Sequence, residues 1–460
     1  MPALRSLRAP LLLLLLPALA ACGGSDSSKA AAPTCDLSGA VPVAHGSSPS
    51  GSETWASGVH RVTTTLTIPA SATLTIAACA RVELAPDASL IVNGGLVAAG
   101  TAAGPISFVR STAASPWAAI QVLGSADLAH TTLAGGGGSL PMATSDTLGA
   151  PLFVHGFGTP VPRLLKVTQV TVDGTTGIGV ALVGAGFEAG STGLTVRNAG
   201  SYPLYLGADV ADTLPAGDYA ANASPAIALQ TAYFAGQDNQ RTIGRDLTIP
   251  NRGVPYRVGI RDPGTIRIGS ATGPAPLVTV EPGVVIAFPR ATFSTGRILV
   301  DGATSGAAMT VAQGALRAVG TAAAPVVFRS AEATPAAGDW TGLSFTGVDA
   351  RTRLERVEIR HAGGNSGALG TCTTNSGATT SEFDGDAALQ IFVENGYPAA
   401  SFLASSTIAQ SAGSGIYRAW SVGDVDFLAG NALSGIAFCS QTLVPDDLNV
   451  CPAGPCPAAP

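Results

Sequence analysis

The sequence predicts an all-β protein: a right-handed parallel β-helix solenoid with two long internal copies stacked end to end. Three observations lead to this prediction, namely a composition rich in turn-forming residues, apolar pairs that recur at a fixed spacing, and a nine-residue stretch that occurs twice. The chain has 57 glycines and 32 prolines in 460 residues, and only 12% of its residues are charged. Such a composition, with many β-branched residues, favours all-β structure with many turns.

The amino-terminal residues have the three parts of a secretory signal peptide. Arg5 and Arg8 are followed by an apolar run at residues 11–16 and then by small residues up to Cys22. This order of charged start, apolar segment and small-residue exit is typical of an export signal. The apolar run is too short for a membrane span, which takes about 20 apolar residues. We therefore expect residues 1–21 to be a signal peptide.

The end of this segment, LAAC at residues 19–22, resembles the lipobox of bacterial lipoproteins. The resemblance implies that the Cys22 thiol receives a diacylglyceryl group, that the chain is cut just before it, and that the new amino terminus is acylated. Several acyl chains together give stable membrane anchoring. Residues 22–34 then form a flexible tether, and Gly23, by the same resemblance, favours the outer membrane. The alternative is an ordinary secreted protein with a chance cysteine.

Apolar residues in the first part of the mature chain come in pairs, and each pair begins eight residues after the previous one. The pairs are Leu66/Ile68, Leu74/Ile76, Val82/Leu84 and Leu90/Val92. The i, i+2 spacing within a pair places both side chains on one face of a short strand. Three such strands make a turn of 24 residues, within the range of solenoid repeats. Stacked turns about 4.8 Å apart let each strand bond to the turns above and below.

The stretch GTAAGPISF at residues 100–108 returns as GTAAAPVVF at residues 320–328. Trp117 and Trp340 follow the two stretches at matching positions, which favours a packing role for both. We therefore divide the β-helix, residues 35–445, into copy one (about 55–240) and copy two (about 254–440). Copy two carries sixteen additional residues, which we assign to a loop around residues 301–308. The Cys- and Pro-rich tail, residues 446–460, is predicted to cap the coil, because open strand edges invite aggregation.

Copy two contains VTVEPG at residues 278–283, then the Gly-Thr-x-x-x-Pro-Val-x-Phe stretch, then Trp340-Thr341-Gly342-Leu343. This pattern resembles bacterial surface lipoproteins with parallel β-helix repeats and a pectin-lyase-like architecture, most of which have no assigned activity. Copy one departs from the pattern, because Cys79 occupies the corner where copy two has Gly283. That departure suggests a disulfide at the amino-terminal end.

Six cysteines remain when Cys22 is set aside: Cys35, Cys79, Cys372, Cys439, Cys451 and Cys456. An even number in an exported protein indicates disulfides, and the spacing does not suggest zinc. We pair Cys35 with Cys79. The four late cysteines pair among themselves, with three possible connectivities.

Three acids in the segment EFDGD, namely Glu382, Asp384 and Asp386, alternate along the chain and would share one face of a strand. Their carboxylates could begin a calcium site, the one cofactor that the sequence suggests. The alternative is a solvated loop end whose acids keep a strand edge soluble.

A second candidate group alternates arginines and acids at residues 349–356, with His361 after it. Its arginines, Arg351, Arg353 and Arg356, could hold a uronate carboxylate by a bidentate fork. We expect them instead to form cross-rung ion pairs that contribute about 0–1 kcal/mol each. Asp424 and Asp426 form a third i, i+2 acid pair of the kind used in acid/base catalysis.

The net charge of −6 and the lack of a basic patch give no reason to expect nucleic acid as a partner. The sequence predicts a lipid-anchored protein of the cell envelope with a non-catalytic binding or adhesion role, with polysaccharide as the ligand class on fold analogy alone. Two alternatives stay open. One is a polysaccharide lyase or hydrolase that uses the three acids and one of the three arginines, and the other is a structural spacer without a ligand.

Overall fold

The structure is a computed structural model and describes residues 35–138, 149–156, 163–231, 240–260, 264–270, 274–291, 296–301, 314–366, 385–392, 397–420 and 423–444. The predicted signal peptide, the tether, the copy-two loop around residues 301–308 and the carboxyl-terminal tail lie largely or wholly outside these ranges.

Short strands make up nearly all regular structure in these ranges. The first eighteen strands are β1 (Val43–His45), β2 (Glu53–Trp55), β3 (Gly58–Val62), β4 (Leu66–Ile68), β5 (Thr73–Ala77), β6 (Ala80–Leu84), β7 (Leu90–Val92), β8 (Gly95–Ala99), β9 (Ile106–Arg110), β10 (Ile120–Val122), β11 (Ser125–Ala134), β12 (Leu152–His155), β13 (Arg163–Asp173), β14 (Val180–Val183), β15 (Ala185–Phe187), β16 (Thr192–Arg197), β17 (Leu204–Gly207) and β18 (Gly217–Asp218). A 3₁₀ helix spans Ala208–Thr213.

The later strands are β19 (Ile227–Gln230), β20 (Gln240–Ile243), β21 (Leu247–Ile249), β22 (Tyr256–Val258), β23 (Thr265–Ile268), β24 (Leu277–Val280), β25 (Val285–Phe288), β26 (Arg297–Val300), β27 (Ala315–Val319), β28 (Val326–Ser330), β29 (Gly342–Phe345), β30 (Arg353–Glu355), β31 (Val357–Arg360), β32 (Ala387–Phe392), β33 (Leu403–Ala404), β34 (Thr407–Ser411), β35 (Ser414–Ala419) and β36 (Ala432–Ile436).

The strands stack in parallel into four long sheets, and the protein is a parallel β-helix. Sheet B, the longest, has thirteen strands that run from β4 through β7, β10 and β12 to β36. Leu66 pairs with Leu90 and Val180 with Leu204, so each of these turns takes the predicted 24 residues. Other turns are longer because loops leave the coil at its corners; Ile359 pairs with Ile408, 49 residues on.

Sheet A covers the other two sides of the coil in copy one, and sheets C and D cover them in copy two. Sheet A has twelve strands, including β5, β6, β8 and β9. It passes around a corner because the long strands β11 and β13 bend at His130 and Gln169, whose φ angles are +42° and +54°. Sheet C contains β20, β23, β26, β29, β32 and β35, and sheet D contains β21, β24, β27, β30 and β33.

The apolar pairs of the sequence point into the coil, as predicted. Leu74, Ile76, Val82 and Leu84 are at most 1% exposed, and one continuous core runs the length of the molecule. The alternation of buried and partly exposed residues along β5 and β6 is that of a strand with one face in the core.

The two sequence copies lie end to end but on different sides of the coil. Ile106 and Phe108 belong to β9 in sheet A, whereas their counterparts Val326 and Phe328 belong to β28 in sheet B. The strand after each tryptophan shifts in the same way, because β10 lies in sheet B and β29 in sheet C. One copy is therefore displaced from the other by one side of the coil, since the strands between them do not make up whole turns.

The predicted disulfide between Cys35 and Cys79 is confirmed, and it ties residues 44 positions apart at the amino-terminal end of the coil. Cys79 has a φ of +64°, and Gly283 at the matching corner of copy two has a φ of +79°. Cys439 is also disulfide-bonded, whereas Cys22, Cys372, Cys451 and Cys456 lie outside the described residues.

Replacing Gly283 by alanine is expected to lower the free energy of unfolding by about 1–2 kcal/mol, because a Cβ strains the left-handed backbone. An added Cβ would also lie 2.8 Å from the Asn251 side-chain nitrogen. Gly51→Ala is the control, since Gly51 has no atom near its Cβ position and no left-handed backbone. Denaturant unfolding of the two variants measures the difference. Equal stability would contradict the assignment of strain to this corner.

Candidate functional site

The first predicted site is only partly placed, because Glu382 and Asp384 lie outside the described residues. Asp386 precedes β32, and its Oδ1 accepts a hydrogen bond from the Ser366 backbone N–H at 2.7 Å. This contact ties the start of β32 to the segment that follows β31. It is a structural role for Asp386 and leaves the calcium hypothesis for the three acids untested.

The arginines of the second predicted group pair with acids of their own turn. Arg351 Nη2 lies 2.8 Å from Asp349 Oδ2, and Arg353 and Arg356 both contact the Glu355 carboxylate. The prediction of cross-rung pairs was therefore wrong, because each partner is one or two residues away on the same corner. All three arginine side chains are more than 40% exposed, so water screens these pairs and each contributes about 0–1 kcal/mol.

The third predicted pair does not converge on one point. Asp424 contacts the guanidinium of Arg418. Asp426 Oδ1 instead accepts from the Leu428 backbone N–H at 2.8 Å and from Gln441 Nε2 at 2.9 Å. The two carboxylates therefore hold different parts of the carboxyl-terminal end together, an arrangement that does not suit shared acid/base work.

The ranges that the structure describes hold no group of three or more histidine, cysteine or acidic side chains that could bind a metal ion. The same ranges contain no helix long and apolar enough to cross a membrane.

The arginines are unevenly distributed along the chain. Residues 241–360 hold 14 arginines and no lysine against 9 acids, a net charge of +5, whereas the whole chain has a net charge of −6. This segment forms the middle turns of the coil, from β20 to β31. The expectation that the protein has no basic patch overlooked this excess, because the arginines are spread thinly in sequence.

Three of these arginines stack in one column on the outer face of sheet B. Arg257 on β22 pairs in register with Ala287 on β25, and Ala287 pairs with Arg329 on β28. Phe328 pairs with Ile359, so Arg329 lies beside Arg360 on the next turn. Neighbouring turns are about 4.8 Å apart. We call Arg257, Arg329 and Arg360 the arginine column.

Like charges directly opposite each other destabilise a sheet, so the partners of the column matter. Arg360 is balanced by Glu358, whose Oε2 lies 2.9 Å from it. Among the described residues Arg329 Nη1 donates to the Ser330 carbonyl at 3.0 Å, and Arg257 Nη1 donates to the Ala331 carbonyl at 3.5 Å. In the described ranges neither Arg257 nor Arg329 pairs with a carboxylate, and the buried Nε of Arg257 has no hydrogen-bond partner. Two outward guanidinium groups are thus without an acidic partner among the described residues.

A buried carboxylate, that of Asp339, lies beside the arginine column. Asp339 is 3% exposed, and its carboxylate accepts from the Arg290 Nε, the Ser330 hydroxyl and the Ala336 backbone N–H, each at 2.7–2.9 Å. Burial alone would raise the pKa of Asp339, but these three hydrogen bonds outweigh it and hold that pKa below its ordinary value. Asp339 is therefore a charged anchor for the β28 corner, held by three hydrogen bonds.

His361 follows Arg360 at a left-handed corner with a φ of +64°. Its Nδ1 is buried and has no hydrogen-bond partner among the described residues. Burial lowers the pKa of His361, and the charges of Arg360 and Arg329 lower it further, although a hydrogen bond with Gln410 and the charge of Asp339 act against them. We therefore expect a neutral imidazole beside the arginine column at neutral pH.

Comparisons of this chain with models of known protein families, with curated proteins and with solved structures gave no match.

Proposed function

We propose that this protein binds an acidic polysaccharide along the arginine column of sheet B and does not cleave it. One observation carries the proposal: Arg257 and Arg329 point outward in one register column and have no carboxylate partner within the described chain. A guanidinium group matches a carboxylate by two parallel hydrogen bonds, and uronates present such a carboxylate on each residue of the polymer.

The geometry suits a repeating ligand better than a single small anion. Ala287 between the two arginines is 4% exposed and has only a methyl side chain, so no bulky group separates them. A polymer that runs along the coil axis would meet Arg257 and Arg329 on alternate turns. Linked contacts of this kind raise the overall affinity well above that of one contact.

We place this binding surface in the cell envelope, held to the membrane by lipid on Cys22. The support is the sequence alone, namely the signal segment and the resemblance of residues 19–22 to a lipobox. The tether at residues 22–34 would keep the coil away from the bilayer and leave sheet B accessible to polymer.

Replacing both Arg257 and Arg329 by glutamine is expected to weaken binding of polygalacturonate to the full chain about tenfold or more, because each charge-assisted hydrogen bond contributes about 1.5–3 kcal/mol. The control is Arg317→Gln, which removes one positive charge from an exposed site on sheet D. Isothermal titration at two salt concentrations measures both variants, and binding should weaken with salt.

Three results would contradict the proposal. Equal binding of the double variant and the control would remove the arginine column from the site. Equally tight binding of an uncharged polysaccharide or of duplex DNA would remove the claim of acidic-sugar recognition. Calcium-dependent cleavage of the polymer would instead make the protein a lyase.

A further inference from the structure

Aromatic side chains close the amino-terminal end of the coil. Trp55 on β2 and His60 on β3 follow the inward columns of Ile76 and Val82, and they are 2% and 5% exposed. His45 on β1 lies over Trp55, with the ring centroids 4.1 Å apart and the ring planes 25° apart. The Trp55 and His60 rings are also stacked, with centroids 5.2 Å apart. These three rings therefore cover the end of the core.

Strand β1 is held to the core side of the coil by a titratable side chain. Val43 is 53% exposed and Ala44 is exposed as well, so of the three described residues of β1 only His45 packs over the core. The backbone of β1 pairs in parallel with β3 and covers its edge. An uncovered strand edge invites pairing with another chain. Weakening the contacts of His45 should therefore release β1 and uncover β3.

A hydrogen bond joins the two histidines and fixes where their hydrogens lie. His60 Nε2 is 2.8 Å from the Ala56 carbonyl oxygen, which can only accept, so this nitrogen carries a hydrogen. In a neutral ring His60 Nδ1 is then a bare acceptor. His45 Nε2 lies 3.0 Å from that acceptor and must be the donor. A further proton on His60 would attach to Nδ1 and turn the acceptor into a donor, so the bond requires a neutral His60.

The carboxylate of Glu53 faces this pair from β2. Its Oε1 lies 3.8 Å from His45 Nδ1 and accepts a hydrogen bond from Trp55 Nε1 at 2.9 Å. Burial lowers the pKa of His45 and the charge of His60 lowers it further, whereas Glu53 acts against both. The folded chain therefore binds fewer protons at His45 than the unfolded chain does. The stability of this end should accordingly fall as the pH falls below about 6.5, the ordinary histidine value.

The other charged side chains of the neighbouring strands point outward. Arg61 on β3 and Arg81 on β6 both contact Glu83, with nitrogen–oxygen distances of 2.9 Å and 3.2 Å. The sequences of β1, β2 and β5 add no titratable side chain beyond His45 and Glu53. Within the described residues, Glu53 and the two imidazoles are therefore the groups that govern protonation at this end.

We propose that His45 and His60 make the amino-terminal turn a pH-sensitive cap, which is closed at neutral pH and releases β1 when His60 takes up a proton. The released strand stays attached to the coil, because the Cys35–Cys79 disulfide ties down the chain before it and β2 follows it. Since each turn of a solenoid contacts only its neighbours, the later turns should keep their structure. This inference does not depend on the binding proposed for the arginine column.

The test is hydrogen exchange of the full chain at about pH 7.5 and at about pH 5, on either side of the ordinary histidine value. Intrinsic exchange rates are corrected for pH, and β14 and β17 serve as internal references. Protection of β1 and β3 should fall about tenfold or more in acid relative to these strands, because the cap loses a buried hydrogen bond. Unchanged relative protection of β1 and β3, or an equal loss in β14 and β17, would overturn the proposal.

The double variant His45→Gln with His60→Asn separates titration from packing. Gln keeps a donor near the position of Nε2 and Asn keeps an acceptor near that of Nδ1, but neither side chain titrates. Its relative protection should therefore be the same at both pH values. His130→Asn is the matched control, since it removes a histidine from a left-handed corner that Asn tolerates, and it should open in acid as the unmodified protein does. Acid opening that persists in the double variant, or that is lost in the control, would overturn the assignment to this pair.

Glu53→Gln gives a readout that a purely structural role would not change. Gln keeps an acceptor for Trp55 Nε1 but removes the charge that favours a proton on His45 in the closed cap. The closed state then tolerates that proton less well, so opening should begin at a higher pH than in the unmodified protein. A midpoint that is unchanged or lower would overturn the proposal.

Discussion

Replacing Trp340 by alanine is expected to lower the free energy of unfolding by about 3–5 kcal/mol, the largest effect of any change proposed here. Trp340 is fully buried, and its ring stacks on Phe288 with centroids 4.3 Å apart. Its Nε1 donates to the Arg360 carbonyl at 2.8 Å. The Trp340→Ala variant would have a cavity in the core, and the Arg360 carbonyl would lose its donor. Denaturant unfolding measures the free-energy cost of both losses together.

The equivalent change in copy one provides the comparison. Trp117 is also fully buried and donates from Nε1 to the Ala134 carbonyl at 2.9 Å. Trp117→Ala should therefore cost a similar amount, whereas the conservative Trp340→Phe should cost less because the ring stays. A loss below about 1 kcal/mol in either alanine variant would contradict a packing role for these residues.

Replacing Arg418 by alanine is expected to cost about 3 kcal/mol and to loosen the carboxyl-terminal end of the coil. Arg418 follows Ile391 in an inward column of sheet C, and it is 1% exposed. Its guanidinium donates to the Thr442 carbonyl at 2.7 Å and to the Val425 carbonyl at 2.7 Å, and it contacts Asp424. The buried Thr442 carbonyl and the partly buried Val425 carbonyl would lose their donor, at about 1–3 kcal/mol each.

The control for this variant is Arg197→Ala, which removes a half-exposed ion pair with Asp173 and should cost less than about 1 kcal/mol. Because each turn of a solenoid contacts only its neighbours, the damage should be local. Hydrogen exchange should show faster exchange in β35 and β36 and unchanged exchange in β5 to β9. Uniform loss of protection, or no loss in β35, would contradict the role of Arg418 in holding the carboxyl-terminal end of the coil.

The apolar pairs and the tryptophans were predictable from sequence because their cause is local. An i, i+2 pair such as Leu74 and Ile76 reports directly on which side of a strand faces the core, and both residues are buried. The Cys35–Cys79 disulfide was predictable for a related reason. Cys79 takes the place of a corner glycine, which indicated an unusual role at that corner.

The arginine column was not predictable in this way. Arg257 and Arg329 are 72 positions apart in the chain, and Arg360 follows 31 positions later. Whether they align depends on the length of every loop between them, and loop lengths do not follow the eight-residue spacing. The excess of arginine between residues 241 and 360 was visible in sequence and could have indicated the region, although not the column.

Strand spacing and turn residues are enough to predict a parallel β-helix with two copies, because they are local properties repeated many times. The side of the coil that each copy presents, in contrast, is seen only in the folded chain. Every side of the coil accepts the same apolar pair, so the pattern is identical for all three. A strand or side chain, such as β9, β28, Arg297 or Arg329, lies on a side of the coil that depends on the number of strands and the loop lengths before it. Both are fixed only when the whole chain has folded.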